Sequence, residues 1–247
     1  MKVAAYLRHA FVGFTAVAAS ACGAEGEVPA TLSARQDPLS GPTSSLPFGS
    51  PHVRIDLPST QCAGTVVGRN AVLTAGHCVC ANSATLSASA VKAILPFKPV
   101  GDVVDIRRFG TACEGNAVSD LQAALDFALL ITASPFDLSD VSPARVYTNG
   151  DLPQKLASGE LVDPARWYGI AGGGTLVRAD LNRTKQPVYA GALVSVQMNP
   201  ADPLQVQLQK GDSGGALTLI EASTGLPVVI GVNSSIQEPD GNVALLA

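Results

Sequence analysis

The sequence predicts an all-β protein, and three observations carry that prediction. Its apolar segments are short, of strand length, and the clearest of them alternate apolar and polar residues at a period of two. Glycine and proline are abundant, 24 and 17 of the 247 residues, which suits many strands joined by tight turns. Charged residues make up only 15% of the chain against 47% hydrophobic ones, enough apolar surface for one large or two small cores. The 16 basic side chains against 20 acidic ones leave a formal charge of −4, which lacks the basic footprint of a nucleic-acid binder. No apolar run reaches membrane-spanning length.

Taken in order, residues 1–21 read as an export signal: Lys2 and Arg8, then the apolar stretch Ala10–Ala19, then small residues. Ala19-Ser20-Ala21 ahead of Cys22 fits two fates. It resembles a bacterial lipoprotein box, with Ala19 where leucine is usual, and it also suits ordinary cleavage after A-x-A. Lipidation of Cys22 would account for the odd member among five cysteines. Residues 22–49 are rich in Gly, Ala, Ser, Thr and Pro and read as a tether or short propeptide. At Pro51 the character changes. Val53–Leu57 alternates as a half-buried strand should, Gly64–Gly68 and Ala71–Leu73 are further strands, and turns are expected from there to Asp105. Ala124–Thr132 fits helix or strand by its residues alone. Residues 138–165 form a loop-rich bridge, and Ala192–Met198, Leu204–Leu208, Ala216–Ile220 and Val228–Val232 are strand-like. No internal repeat is evident.

The chemistry gathers at Lys210-Gly211-Asp212-Ser213-Gly214-Gly215. Glycines around a serine let backbone N–H groups converge on a bound oxygen with no side chain in the way. The Ser213 hydroxyl could then attack a carbonyl whose oxyanion is held by the N–H groups of Gly211 and Ser213. A hydroxyl is a weak nucleophile and needs a histidine base, itself oriented by a carboxylate. Of three histidines, His9 lies in the leader and His52 in a Pro-flanked segment with no acid around it, whereas His77 follows an apolar strand and small-residue turn beside Cys78. The carboxylate candidate is Asp126, a lone acid inside Leu125-Asp126-Phe127-Ala128-Leu129-Leu130-Ile131, costly to bury unless paired.

Thr74-Ala75-Gly76-His77-Cys78, Asp126-Phe127-Ala128-Leu129-Leu130 and Gly211-Asp212-Ser213-Gly214-Gly215 resemble the three signatures of trypsin/chymotrypsin-like serine proteases, in the order of that family. Cys62-Ala63-Gly64-Thr65 and Gly169–Thr175 are similar to two more of its segments, so the likeness runs over about residues 50–247. The resemblance implies two antiparallel six-stranded β-barrels with a catalytic cleft between them, decides for strand at Ala124–Thr132, and makes 138–165 the link between barrels. It implies an exported serine endopeptidase with Ser213 as nucleophile, His77 as base and then acid, and Asp126 orienting His77. It further places Ser234, in Gly231-Val232-Asn233-Ser234, beside the triad acid, a position an ordinary strand-end serine would also fill. Protein or peptide substrates are implied, with a monomeric protein and no cofactor. No two cysteines have the Cys-x-x-Cys spacing of a metal site, and no metal is expected. The family's histidine-loop disulfide would join Cys62 to Cys78, leaving Cys80 to pair with Cys113.

The sequence departs from the family in three places. Six residues before Ser213, where trypsin-like pockets carry an acid, stands Gln207, so no strong preference for Arg or Lys is expected. No Ile-Val-Gly-Gly-type tetrapeptide is present to supply the new N-terminal ammonium that compensates the acid before the nucleophile, here Asp212; a cut after Arg35 would expose only the polar Gln36-Asp37-Pro38. Asp212 is therefore expected to have an internal donor, with Arg166 as the candidate. The sequence ends roughly where a final strand is expected, so the family's C-terminal helix is expected to be either dispensed with or removed by truncation. The missing terminus and helix sustain a rival reading, a non-catalytic surface lipoprotein that keeps the protease fold, as a pseudoprotease or a truncated member.

Overall fold

The computed structural model describes residues 44–46, 49–81, 84–95, 98–109, 126–139, 141–148, 151–171, 175–180, 188–190, 193–196, 211–237 and 241–246. Among the described residues the first strand is β1 (Ser44–Ser45), ahead of residue 50, and Leu46 beside it is buried. Next come β2 (His52–Asp56), β3 (Gln61–Gly68) and β4 (Ala71–Thr74), then a 3-10 turn over Gly76–Val79. The minor strands β5 (Cys80–Ala81) and β6 (Ala84–Thr85) pair with each other. β7 (Lys92–Leu95), β8 (Lys98–Arg108) and β9 (Ala128–Thr132) close a six-stranded antiparallel barrel in the order β2-β3-β4-β9-β8-β7. Its interior is built by alternation. In β2, Val53 and Ile55 are fully buried between partly exposed Arg54 and Asp56, and in β9, Ala128 and Leu130 point inward. They meet Val66, Val72, Ala93 and Val103 in one cluster.

The expectation of turns up to Asp105 is corrected here, since β7 and most of β8 occupy that stretch. Small residues and Pro99 mask the pattern, yet Pro99 falls opposite Ile94 near the start of β8, where a proline is tolerated. Closure of the barrel, which requires partners for β2 and β9, overrides weak local propensity.

The bridge region contains β10 (Arg145–Val146) and a short helix α1 (Leu152–Ala157) with Pro153 in its first turn, and it runs into β11 (Leu161–Ala171). β12 (Thr175–Asp180), β13 (Val188–Ala190), β14 (Leu193–Val196), β15 (Ala216–Glu221), β16 (Pro227–Gln237) and β17 (Gly241–Leu246) follow. These form a nine-stranded sheet in the order β1-β12-β11-β15-β16-β17-β14-β13, with β10 added parallel to β16. A second apolar cluster holds Ala63 and Leu73 of the barrel wall together with Tyr168, Ile170, Ala216, Val229 and Val232 of the sheet. β3 is therefore buried on both faces, which explains its nearly continuous burial. The expected strand at Leu204–Leu208 lies outside the described residues. No helix among the described residues is long and apolar enough to cross a membrane.

Candidate active site

Strand pairing assembles the site. β4 lies beside β9 with Thr74 opposite Ala128, so the turn leaving β4 and the residues entering β9 meet, which sets His77 against Asp126. His77 Nδ1 lies 2.6 Å from Asp126 Oδ2, and the His77 backbone N–H donates to Asp126 Oδ1 at 2.7 Å. The disulfide Cys62–Cys78 ties β3 to the same turn. From the sheet, Ser234 Oγ donates to Asp126 Oδ2 at 2.6 Å. Its aim follows from a bulge. The β16–β17 register slips between Asn233 and Ser235, leaving Ser234 out of the ladder and free to turn toward the barrel.

Asp126 is 3% exposed. Burial alone would raise its pKa, but the hydrogen bond and charge of His77, the Ser234 hydroxyl and the His77 amide together hold the carboxyl below its ordinary range. A buried carboxylate with three donors is a fixed anion, and it binds His77 through Nδ1. The other ring nitrogen is left for chemistry on the half-exposed side of the imidazole.

Ser213 sits on the turn that precedes β15, and two contacts dock that turn against the barrel. The Ala63 N–H donates to the Ser213 carbonyl at 2.9 Å. Gly214, at φ +79°, lies so close to Thr74 and the Ala63 carbonyl that a Cβ there would overlap both. Ser213 is thereby held beside the strand end that leads to His77. Among the described residues no hydrogen bond joins Ser213 Oγ to His77; catalytic hydrogen bonds commonly tighten only when substrate is bound. Gly211 has φ +109° on the same turn.

Asp212 is 1% exposed, and the backbone N–H of Ile170 in β11 donates to its Oδ1 at 2.9 Å. One internal donor is therefore a main-chain amide. The backbone of Arg166 lies in β11 opposite Asp180 and Thr218, while its side chain falls outside the described residues. Gln207, Cys22 and Cys113 lie outside them as well. Cys80 is disulfide-bonded. No group of three or more His, Cys, Asp or Glu side chains able to hold a metal occurs among the described residues.

Two buried polar side chains, His52 and Asn233, lie near the site without any role expected from the sequence. His52 is 2% exposed, its Nδ1 lies 2.9 Å from Thr65 Oγ1, and its ring stacks on Tyr168 with centroids 3.4 Å apart. Burial pushes its pKa down to about 3. It shares the outward parity of Arg54 and Asp56, and only the sheet packed on that wall buries it. Asn233 is 4% exposed, an amide inside the apolar run that begins at Val228. A polar residue between Val232 and Ser234 was the available signal.

The family model described as Trypsin matches residues 44–244. No match to a curated protein is found. The matched span opens at the first residue of β1 and ends within β17, so it covers the barrel, the nine-stranded sheet and the site they carry. The chain belongs to the trypsin family of serine proteases.

Proposed function

We propose that the protein is an exported serine endopeptidase that cleaves peptide bonds through an acyl-enzyme. The carrying observation is Asp126, buried and bonded to His77 and Ser234, which leaves His77 oriented with one ring nitrogen uncommitted. On this reading His77 Nε2 takes the proton of Ser213 Oγ as the oxygen bonds to the scissile carbonyl carbon. The carbonyl π pair moves onto oxygen and is held by the N–H groups of Gly211 and Ser213. As the C–N bond breaks, His77 returns the proton to the leaving amine. Water, deprotonated by His77, then hydrolyses the ester and regenerates Ser213. Asp126 stabilises the imidazolium in both halves and remains ionised.

The nine-stranded sheet is read as the counterpart of the closed barrel, with the site in a cleft between them. Residues 1–21 direct export, and Cys22 carries a lipid or marks the end of a cleaved leader. The following residues tether or precede the protease domain assigned to 50–247. Cys80 pairs with Cys113, Gln207 disfavours basic side chains before the cut, and the protein acts as a monomer on protein or peptide substrates without a cofactor. A fluorophosphonate probe tests the central claim without knowledge of the substrate, because it requires an activated serine. Wild-type protein should label, while Ser213→Ala and His77→Ala should each lose labelling by about 10⁴-fold or more and still fold. No labelling of folded wild-type protein would leave the non-catalytic reading in possession.

A further inference from the structure

Asn233 is placed where an aliphatic residue would suit the strand better. Its backbone continues the β15–β16 ladder by one step: the Asn233 N–H donates to the Gly215 carbonyl and the Gly214 N–H donates to the Asn233 carbonyl, both at 2.8 Å. Valine would make those same bonds. The side chain does something else. Nδ2 donates to the carbonyl of Asp212 at 3.1 Å and reaches the carbonyl of Tyr168 at 3.5 Å. Both neighbours are carbonyl oxygens, which fixes the amide with its NH₂ toward them. Gly215 makes room, because a Cβ there would run into the Tyr168 carbonyl and press on Asn233 Nδ2 at 3.0 Å. Asn233 Oδ1, meanwhile, is buried with no hydrogen-bond partner among the described residues. An unpaired buried acceptor destabilises the fold, so stability alone favours an apolar residue here.

The Asp212 carbonyl is one end of the Asp212–Ser213 peptide. In a planar trans peptide the C=O and the following N–H point in opposite directions. Holding the Asp212 oxygen therefore aims the Ser213 N–H the other way. Two donors hold that oxygen, the Gly215 N–H at 3.0 Å and Asn233 Nδ2 at 3.1 Å. A rotation of this peptide would forfeit both. Resting on the serine-peptidase reading above, we propose that Asn233 is a positioning residue that locks the Asp212–Ser213 peptide and so keeps the Ser213 N–H aimed at the substrate oxyanion.

Removal of a whole oxyanion donor typically costs about 10²–10³ in rate, so loosening its aim should cost about 10- to 100-fold. The test uses the full chain, with p-nitrophenyl acetate for the acylation burst and a fluorophosphonate-rhodamine probe for the rate of serine modification. Asn233→Val should slow both by that factor, leave the saturation constant for the ester within about twofold, and melt cooperatively. Asn233→Asp supplies a second, independent signature. A protonated carboxyl can donate to the Asp212 oxygen and an ionised one cannot, so the variant's acylation rate, divided by that of wild type at each pH, should rise as pH falls. Wild-type rates in both variants, or a flat ratio in the second, overturn the assignment while leaving the peptidase reading intact. Failure of both variants to fold also overturns it, by making Asn233 a structural residue. A wild-type protein inert to ester and probe overturns the peptidase reading and the assignment with it.

Discussion

His52 makes the stability of this fold depend on pH in a window well above the usual range of acid denaturation. Its side chain is buried between Thr65 Oγ1, to which Nδ1 is bonded, and the ring of Tyr168. Burial lowers its pKa from 6.5 to about 3. The depressed value means that between these limits the unfolded chain binds a proton that the folded chain refuses. Stability is then fully present above pH 6.5 and is lost progressively as pH falls toward 3. At 1.36 kcal/mol per pKa unit the whole shift is worth about 5 kcal/mol, of which about 3 kcal/mol should be gone by pH 4.5. That is a large share of an ordinary domain's margin of about 5–15 kcal/mol.

The perturbation that isolates this effect is His52→Phe combined with Thr65→Val. Phenylalanine keeps a ring against Tyr168, and valine removes the hydroxyl that would otherwise be buried without its partner. Both changes are made in a Ser213→Ala background, so that self-digestion does not distort the measurement. Urea unfolding followed by fluorescence of the single tryptophan, at half-unit steps from pH 7 to 4.5, gives the free energy at each pH. The parent should lose stability across this window, and the double variant should lose about 3 kcal/mol less. Subtracting the two curves cancels the contribution of the other titrating groups, Asp126 included. Parallel curves would refute the reasoning, since His52 would then titrate alike in the folded and unfolded chain.

Three further outcomes follow from the site. Ser234→Ala removes one of three donors to Asp126, and a hydrogen bond to a charged group is worth about 1.5–3 kcal/mol, so ester hydrolysis should fall about 10- to 100-fold with folding preserved; an unchanged rate would reduce Ser234 to a strand residue. Cys62→Ala with Cys78→Ala should cost about 2–4 kcal/mol in urea unfolding, and an unchanged midpoint would show that the crosslink does not constrain the unfolded chain. Because Ile170 N–H already donates to Asp212, a protein with residues 1–43 replaced by an uncleavable tag should titrate as active without proteolytic trimming; activity appearing only after trimming would contradict this.

How much of this could be read from the chain divides along a physical line. His77 and Asp126, which the structure brings within hydrogen-bonding distance, and Ser213 each sit in a local pattern that strand-and-turn physics makes recognisable. An acid in an apolar run advertises that it must be paired, and three glycines around a serine advertise a backbone that must come close to something. The Cys62–Cys78 link was legible only through the family likeness, since five cysteines leave many pairings open. β7 and β8 escaped notice because the closure that demands them is a property of the whole barrel, carried by registers such as Ile55 opposite Ala93 and Ile106 opposite Leu130. His52 and Asn233 escaped for a related reason. In each case strand periodicity gives the face and stops there, and burial comes from a second layer packed on that face. One donor to Asp212 illustrates the limit most sharply. Sequence displays side chains such as that of Arg166, which lies outside the described residues, whereas Ile170 acts through an N–H that every residue but proline carries. What selects it is β11 running past the Ser213 turn, with Ile170 packed in the cluster that joins the sheet to the barrel wall. Among the described residues, the groups that hold the Asp212–Ser213 turn include main-chain amides and the Asn233 side-chain NH₂, fixed by the pairing of β11, β15 and β16, so substitutions in those strands should disturb that turn without touching His77, Asp126 or Ser213.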